Sequence, residues 1–186
     1  MPDIRSKLGT IALIAKLVAQ APAPPGRTAI MKYLYFLKVL RSVPLRYNFR
    51  LYTYGPFDST VLDDLGYAEA LGAVESQLVA YPGGRGYQYR GGPQIDSIEE
   101  HAAAFLTEHE DDIDWVLREF GDRSASDLEM ASTLVYVDRS IAEKRARTTS
   151  AELARKVHDV KPHLAMDAIE REVRALNERG LLTAVS

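Results

Sequence analysis

The sequence predicts a mainly α-helical chain with a small antiparallel β element. Three observations carry that expectation. Apolar residues recur at helical spacing in most segments. Breaks rich in Pro or Gly separate those segments. Strand signals are confined to Tyr47–Thr53 and to the region between Val74 and Arg90.

The elements follow in order. Leu8, Ile11, Ile14, Ala15 and Val18 share one face of a helix expected over Ile4–Gln20. Pro22, Pro24 and Pro25 exclude helix from the following linker. Thr28 is placed to cap a second helix, Ala29–Arg41, which is apolar over so much of its circumference that it belongs at the centre of the core. Pro44 then turns the chain into Tyr47–Thr53, where Tyr47, Phe49, Leu51 and Thr53 fall on one side and Asn48, Arg50, Tyr52 and Tyr54 on the other. Gly55-Pro56 is expected to stop this strand, and Asp58 or Ser59 to cap a helix running to Leu71. Gly72 suits a left-handed cap. Val74–Tyr81, a turn at Pro82-Gly83-Gly84-Arg85-Gly86 and Tyr87–Arg90 read as a hairpin. Helices followed by a Gly-rich hairpin outline a winged-helix-like half, with the Tyr47 strand expected to pair with the hairpin.

Gly91-Gly92-Pro93 marks the expected boundary between two halves, residues 1–92 and 93–186. Asp96 and Glu99 have capping-box spacing for a helical stretch to Phe120, which the acidic run Glu108–Asp112 can break in two. Ser124 or Ser126 starts another helix. Thr149 and Glu152 form a second capping box before a short helix, Ser150–His158. Pro162 separates it from Leu164–Arg179, which Gly180 caps, and Leu181-Leu182 can enter the core. The second half therefore reads as helical, ending in a helix-turn-helix-like unit packed as part of one compact chain.

Bulk properties narrow the functional classes. The 186 residues carry a net charge of −3, so no overall positive field draws the chain to nucleic acid. Cysteine is absent, which excludes disulfides, thiolate metal sites and thiol catalysis. Lys16 interrupts the apolar run Ile11–Ala21, and Asp3 precedes it, so a membrane span is not expected and a cytoplasmic location is.

Candidate chemistry is sparse. His101 and His109 lie two helical turns apart among acids, whereas a helical metal pair usually sits one turn apart. Asp63-Asp64 and Asp111-Asp112 are neighbours that diverge by about 100° on a helix. No nucleophile elbow surrounds Ser59. The Gly83–Gly86 loop lacks the Lys-Ser/Thr ending of a phosphate loop, although Arg85 at a wing tip could touch a phosphate backbone or an acidic partner. Arg139, Lys144, Arg145 and Arg147 form one basic grouping, and Arg155, Lys156 and Lys161 another. No catalytic, cofactor-binding or metal-binding residue is assigned. The crowding of Tyr47, Phe49, Tyr52, Tyr54 and Phe57 exceeds what one strand face can bury, which leaves aromatic residues for a partner surface.

Lys32-Tyr33-Leu34-Tyr35-Phe36-Leu37 and Tyr52-Thr53-Tyr54-Gly55-Pro56-Phe57-Asp58 resemble the SocA-antitoxin-like family, also called the Panacea domain, over roughly Thr28–Arg90. The resemblance implies a mainly helical fold with a small β element, no enzymatic activity, and a role as an antitoxin or interaction module beside a toxin or defence component. Tyr52 and Phe57 stand where Panacea domains often have tryptophan and a branched aliphatic residue. The leading expectation is a non-catalytic regulatory protein without cofactor that binds another protein through Tyr52, Tyr54, Gly55, Pro56, Phe57 and Asp58. The alternative is a winged-helix DNA-binding transcription regulator, acting as a homodimer, with Arg85 at the nucleic acid.

Overall fold

The computed structural model describes residues 4–81 and 84–186, so Pro82-Gly83 of the expected turn and Asp3 lie outside the described residues. Among the described residues there are nine helices and four strands: α1 (Ile4–Gln20), α2 (Arg27–Leu40), β1 (Arg50–Tyr52), β2 (Gly55–Phe57), α3 (Ser59–Ala70), β3 (Val74–Tyr81), β4 (Gly84–Gly91), α4 (Ile95–His101), α5 (Ala103–Glu108), α6 (Glu110–Phe120), α7 (Ala125–Glu143), α8 (Ser150–Val160) and α9 (Met166–Glu178). The fold is mainly α with a small antiparallel β content, as the sequence predicts, and that content is divided between two separate two-stranded sheets, β1-β2 and β3-β4. No helix among the described residues is long and apolar enough to cross a membrane.

The chain divides into two units. The first comprises Met1–Phe49 with Asp58–Arg123, and the second comprises Arg50–Phe57 with Ser124–Ser186. The expected boundary at residues 92 and 93 is therefore displaced. Helices α4, α5 and α6 contact α1, and α6 also contacts α2, so their apolar faces complete the first core rather than found a second. Gly91-Gly92-Pro93 is only a turn inside that unit.

In the first unit, α2 is buried along every residue from Ile30 to Leu37, which is why its sequence is apolar nearly all round. Phe36 stacks on Phe120 with centroids 3.9 Å apart, and Ile11, Ile14, Leu17, Leu34 and Leu65 fill the space around them. The expected Thr28 cap is not used. Gly26 is held extended by an antiparallel bridge to Gln88, and Tyr89 N–H donates to Pro25 O at 3.0 Å, so α2 starts directly after Gly26. This bridge also corrects the pairing expected for the Tyr47 segment: the residue bridged to the hairpin is Gly26 of the Pro linker. The resulting order is helix, bridged linker, helix, helix, hairpin. Tyr47 instead turns inward, and its hydroxyl donates to Asp64 at 2.9 Å. Asp58 caps α3 by accepting from Thr60 N–H at 2.8 Å, and Gly72 follows it with φ +71°. The Asp96–Glu99 capping box does not form. Asp96 lies inside the first turn of α4, and Glu99 reaches Lys16 at 3.6 Å. The helical stretch breaks at His109, within the acidic run, and also at Ala102, giving three short helices rather than two.

In the second unit, Ser124 caps α7, and Thr149 with Glu152 completes the predicted capping box of α8. Leu128, Leu134 and Val135 meet Leu153, Val157, Ile169, Val173 and Leu176 in its core, with Leu182 added from the C-terminal segment. That segment is fastened by polar groups. Asp138, with no exposed surface, accepts from Thr183 N–H and Ala184 N–H, each at 2.8 Å, and from the Thr183 hydroxyl at 3.0 Å. Arg139 adds a bond to Asp138 at 2.6 Å, and Arg147 donates to Thr183 O at 2.8 Å. Two members of the first basic grouping thus hold the chain's own end.

Candidate functional site

The motif from Tyr52 to Phe57 forms a hairpin belonging to the second unit. Gly55-Pro56 does not stop the strand, as the sequence suggests; it opens the return strand. The register is Arg50 with Phe57, Leu51 with Pro56, and Tyr52 with Gly55, which leaves Thr53-Tyr54 as a two-residue loop. In an antiparallel ladder alternate pairs exchange no backbone hydrogen bonds. Pairing Pro56 between the closing pair and the outer pair puts it at such a position, where its missing N–H costs nothing.

Gly55 is required twice over. Its φ of +86° lies in the left-handed region. A Cβ there would stand 3.0 Å from Ser132 Oγ and 3.2 Å from Thr133 Oγ1, because β2 lies directly on α7. Gly55 and Pro56 are buried. Tyr52 stands directly across the ladder from Gly55 and shares its face with Phe57, and the two ring centroids are 5.7 Å apart. Tyr52 and Tyr54 remain 67% and 66% exposed. The aromatic crowding is thereby divided: Tyr47 is buried, Phe49 packs edge-on against Tyr35, Phe57 is half-buried, and the two loop tyrosines face solvent.

Beneath the loop lies a charged group that the sequence did not single out. Lys161, only 3% exposed, donates from Nζ to Tyr52 O at 2.9 Å and to Thr53 O. The same ammonium is 3.0 Å from Glu129 Oε1, and His163 Nε2 approaches that oxygen at 3.2 Å from the surface. Both approaches to Oε1 are ionic contacts, since the oxygen accepts no hydrogen bond, and the His163 contact carries charge only when the imidazole is protonated. Thr133 Oγ1, buried beside Gly55, has no hydrogen-bond partner either. Val160, next to Lys161 in sequence, is 48% exposed. The one sequence cue was Lys161 itself, grouped with Arg155 and Lys156 as a solvated base. Helical spacing cannot show that a residue just beyond a helix end turns inward.

The other predicted residues fall elsewhere. Asp58 is in the first unit. Burial works against its charge, but hydrogen bonds from Asn48 N–H at 2.5 Å and from Thr60 N–H outweigh it and hold its carboxyl below the usual range. Its place is structural, since it joins the end of the Tyr47 segment to the start of α3. Arg85 is exposed on β4 of the first unit, opposite Ala80.

Each histidine has a local contact. His101 Nδ1 lies 2.6 Å from Ser97 O, His109 Nδ1 lies 3.1 Å from Asp112 Oδ2, and His158 Nδ1 lies 3.0 Å from Leu164 O. Among the described residues no three His, Asp or Glu side chains gather around a point that could hold a metal ion. The hairpin presents two exposed phenols, those of Tyr52 and Tyr54. No family model matches this chain, and no match is found among curated proteins.

Proposed function

We propose that the protein is a non-catalytic, antitoxin-like regulatory module that acts in the cytoplasm by binding another protein, a toxin or defence component, through the Arg50–Phe57 hairpin. The observation that carries this reading is the exposure of Tyr52 and Tyr54 at the tip of a hairpin whose Gly55 and Pro56 are buried and whose Tyr52 and Thr53 carbonyls are bonded by Lys161. Tyrosine supplies a large amphipathic contact area at small entropic cost, which is why interface centres favour it. A fixed backbone lowers the ordering cost of association further. The resemblance of the Tyr52–Asp58 motif to SocA-antitoxin-like proteins names the kind of partner.

The test is co-purification of the protein with the product of the gene beside its own. The wild-type pair is expected to co-elute, and Tyr52→Ala/Tyr54→Ala to weaken the complex by about 2 kcal/mol or more, the size expected of a hot-spot pair. Unchanged co-elution of the double variant would overturn the reading.

One observation favours a second reading, DNA binding by the first unit: the order of helices and hairpin, with the Gly26–Gln88 bridge. The charge of α3 counts against it. Its exposed residues include Asp63 and Glu69, and the helix Ser59–Ala70 contains no Lys or Arg to meet phosphate.

A further inference from the structure

We propose that Lys161 is a positioning residue for the aromatic hairpin: it orders the Thr53-Tyr54 loop through the two backbone carbonyls that it binds, and this, rather than its charge balance with Glu129, makes Tyr52 and Tyr54 competent to bind. The inference rests on the protein-binding reading of that hairpin and adds what prepares it.

A two-residue loop joined to three-residue strands has few ladder bonds of its own, and an isolated two-stranded hairpin is marginal in water. Something outside the ladder must hold it. Gly55 rests against Ser132 and Thr133 of α7. Beside it the ammonium of Lys161, which also meets Glu129 of α7, takes Tyr52 O and Thr53 O together. A lysine ammonium has three donors, and two are spent on consecutive carbonyls at the point where the chain reverses. Consecutive carbonyls that converge on one cation fix the intervening peptide, and therefore the directions in which the Tyr52 and Tyr54 side chains leave the backbone. Lys161 is itself nearly inaccessible, so it can influence a partner only through the loop.

Glu129 gives the competing explanation. A buried carboxylate and a buried ammonium 3.0 Å apart balance each other, and removing either alone strands the other. Lys161→Met is therefore ambiguous by itself, because it leaves Glu129 uncompensated. Lys161→Met/Glu129→Met removes both charges and keeps the volume, which is often neutral for stability. The two explanations then separate. If Lys161 serves only to neutralise Glu129, the double variant restores the hairpin. If Lys161 orders the loop, the double variant recovers global stability while Tyr52 O and Thr53 O still lack their donor.

The experiment is amide hydrogen exchange of the full-length protein, read separately for Arg50–Phe57 and for α7, α8 and α9. The expected result in the double variant is wild-type exchange in the three helices and exchange about tenfold or more faster in the hairpin. Hairpin exchange at the wild-type rate overturns the proposal, and so does an equal acceleration through the whole unit. Should neither variant fold, the wild-type protein decides: scalar coupling across the hydrogen bonds from Lys161 Nζ to the carbonyl carbons of Tyr52 and Thr53 is expected, and its absence overturns the proposal. With the adjacent gene's product as probe, the double variant is expected to bind about tenfold more weakly, the effect of lost preorganisation. A loosened hairpin that binds as tightly as wild type overturns the positioning role. If Tyr52→Ala/Tyr54→Ala binds that probe like wild type, the protein-binding reading fails, while the exchange data still decide whether Lys161 orders the loop.

Discussion

Two glycines make opposite demands on a methyl group. At Gly55 the left-handed φ and the 3.0 Å approach to Ser132 Oγ act together, so Gly55→Ala is expected to destabilise the protein by about 1–3 kcal/mol. At Gly66, in the middle of α3, a Cβ would meet nothing within 4 Å. Gly66→Ala is expected to stabilise by about 0.5–1 kcal/mol, because the unfolded chain loses freedom that the helix never used. Urea unfolding midpoints of the two variants check both signs, and a neutral Gly55→Ala would show that β2 can lift from α7 at little cost.

Asp64 supplies a residue-level dependence on pH. Burial pushes its carboxyl up, although the Tyr47 hydroxyl and Lys7 pull it down. The folded state therefore holds a proton that the unfolded state has released, over a window that opens at the ordinary Asp value of about 3.9. Stability falls as pH rises through that window, since the folded form binds more protons there. Asp64→Asn can still accept from Tyr47 and cannot ionise. Its stability relative to wild type is expected to rise as pH climbs through the ordinary Asp value of about 3.9 and then to level off. Unfolding midpoints measured on both sides of that value test it, and a difference that stays flat refutes the role given to burial.

At the scale of elements, the C-terminal segment depends on one carboxylate. Asp138 receives two backbone N–H groups, a hydroxyl and a guanidinium in a site without solvent. Asp138→Ala would leave the buried Ala184 N–H unsatisfied and take the partner from the half-buried Thr183 N–H, and an unsatisfied buried donor costs about 1–3 kcal/mol. Expected outcomes are a loss of about 3 kcal/mol or more and rapid trimming of residues after Gly180 by carboxypeptidase. A variant as resistant as wild type would mean that Leu182, Arg147 and the backbone bonds to Thr148 secure the segment without it.

Elements were legible where the signal is local. The span of α1, the Asp58 cap, the Thr149–Glu152 box and the buried circumference of α2 all follow from residues within a turn or two of one another. Pairing was not legible. Nothing near Tyr47 in sequence shows that Asp64 will take its hydroxyl, or that Pro25-Gly26 will border β4. The Gly-Pro turn misled for a related reason: proline ends a strand only where the ladder needs its N–H, and that depends on register. The site was half visible. Tyr52 and Tyr54 could be singled out by composition, whereas Lys161 and Glu129 are ordinary charged residues until the fold closes over them. Polar groups buried by tertiary contact leave no periodic trace.

For the molecule as a whole, the decisive quantity is where positive charge is available. A winged helix that reads DNA presents a helix to the groove and cations to phosphate. Here α3 carries Asp63, Asp64 and Glu69 and no base. In the helix-turn-helix-like second unit, α9 has four acids, Asp167, Glu170, Glu172 and Glu178, against two arginines, Arg171 and Arg174. Arg171 already pairs with Asp167 at 2.7 Å. Arg139 and Arg147 are held at the C-terminal segment, and the chain's net charge is −3. Neither candidate reading helix offers a cationic face, so the phosphate term that dominates DNA affinity has no source there. The expected result of a gel shift with DNA from the protein's own promoter, at a salt concentration of about 50 mM, is no retarded band. A retarded band that weakens steeply with salt and disappears with Arg85→Ala would show that the hairpin alone supplies enough charge, and would put the DNA-binding reading ahead of the protein-binding one.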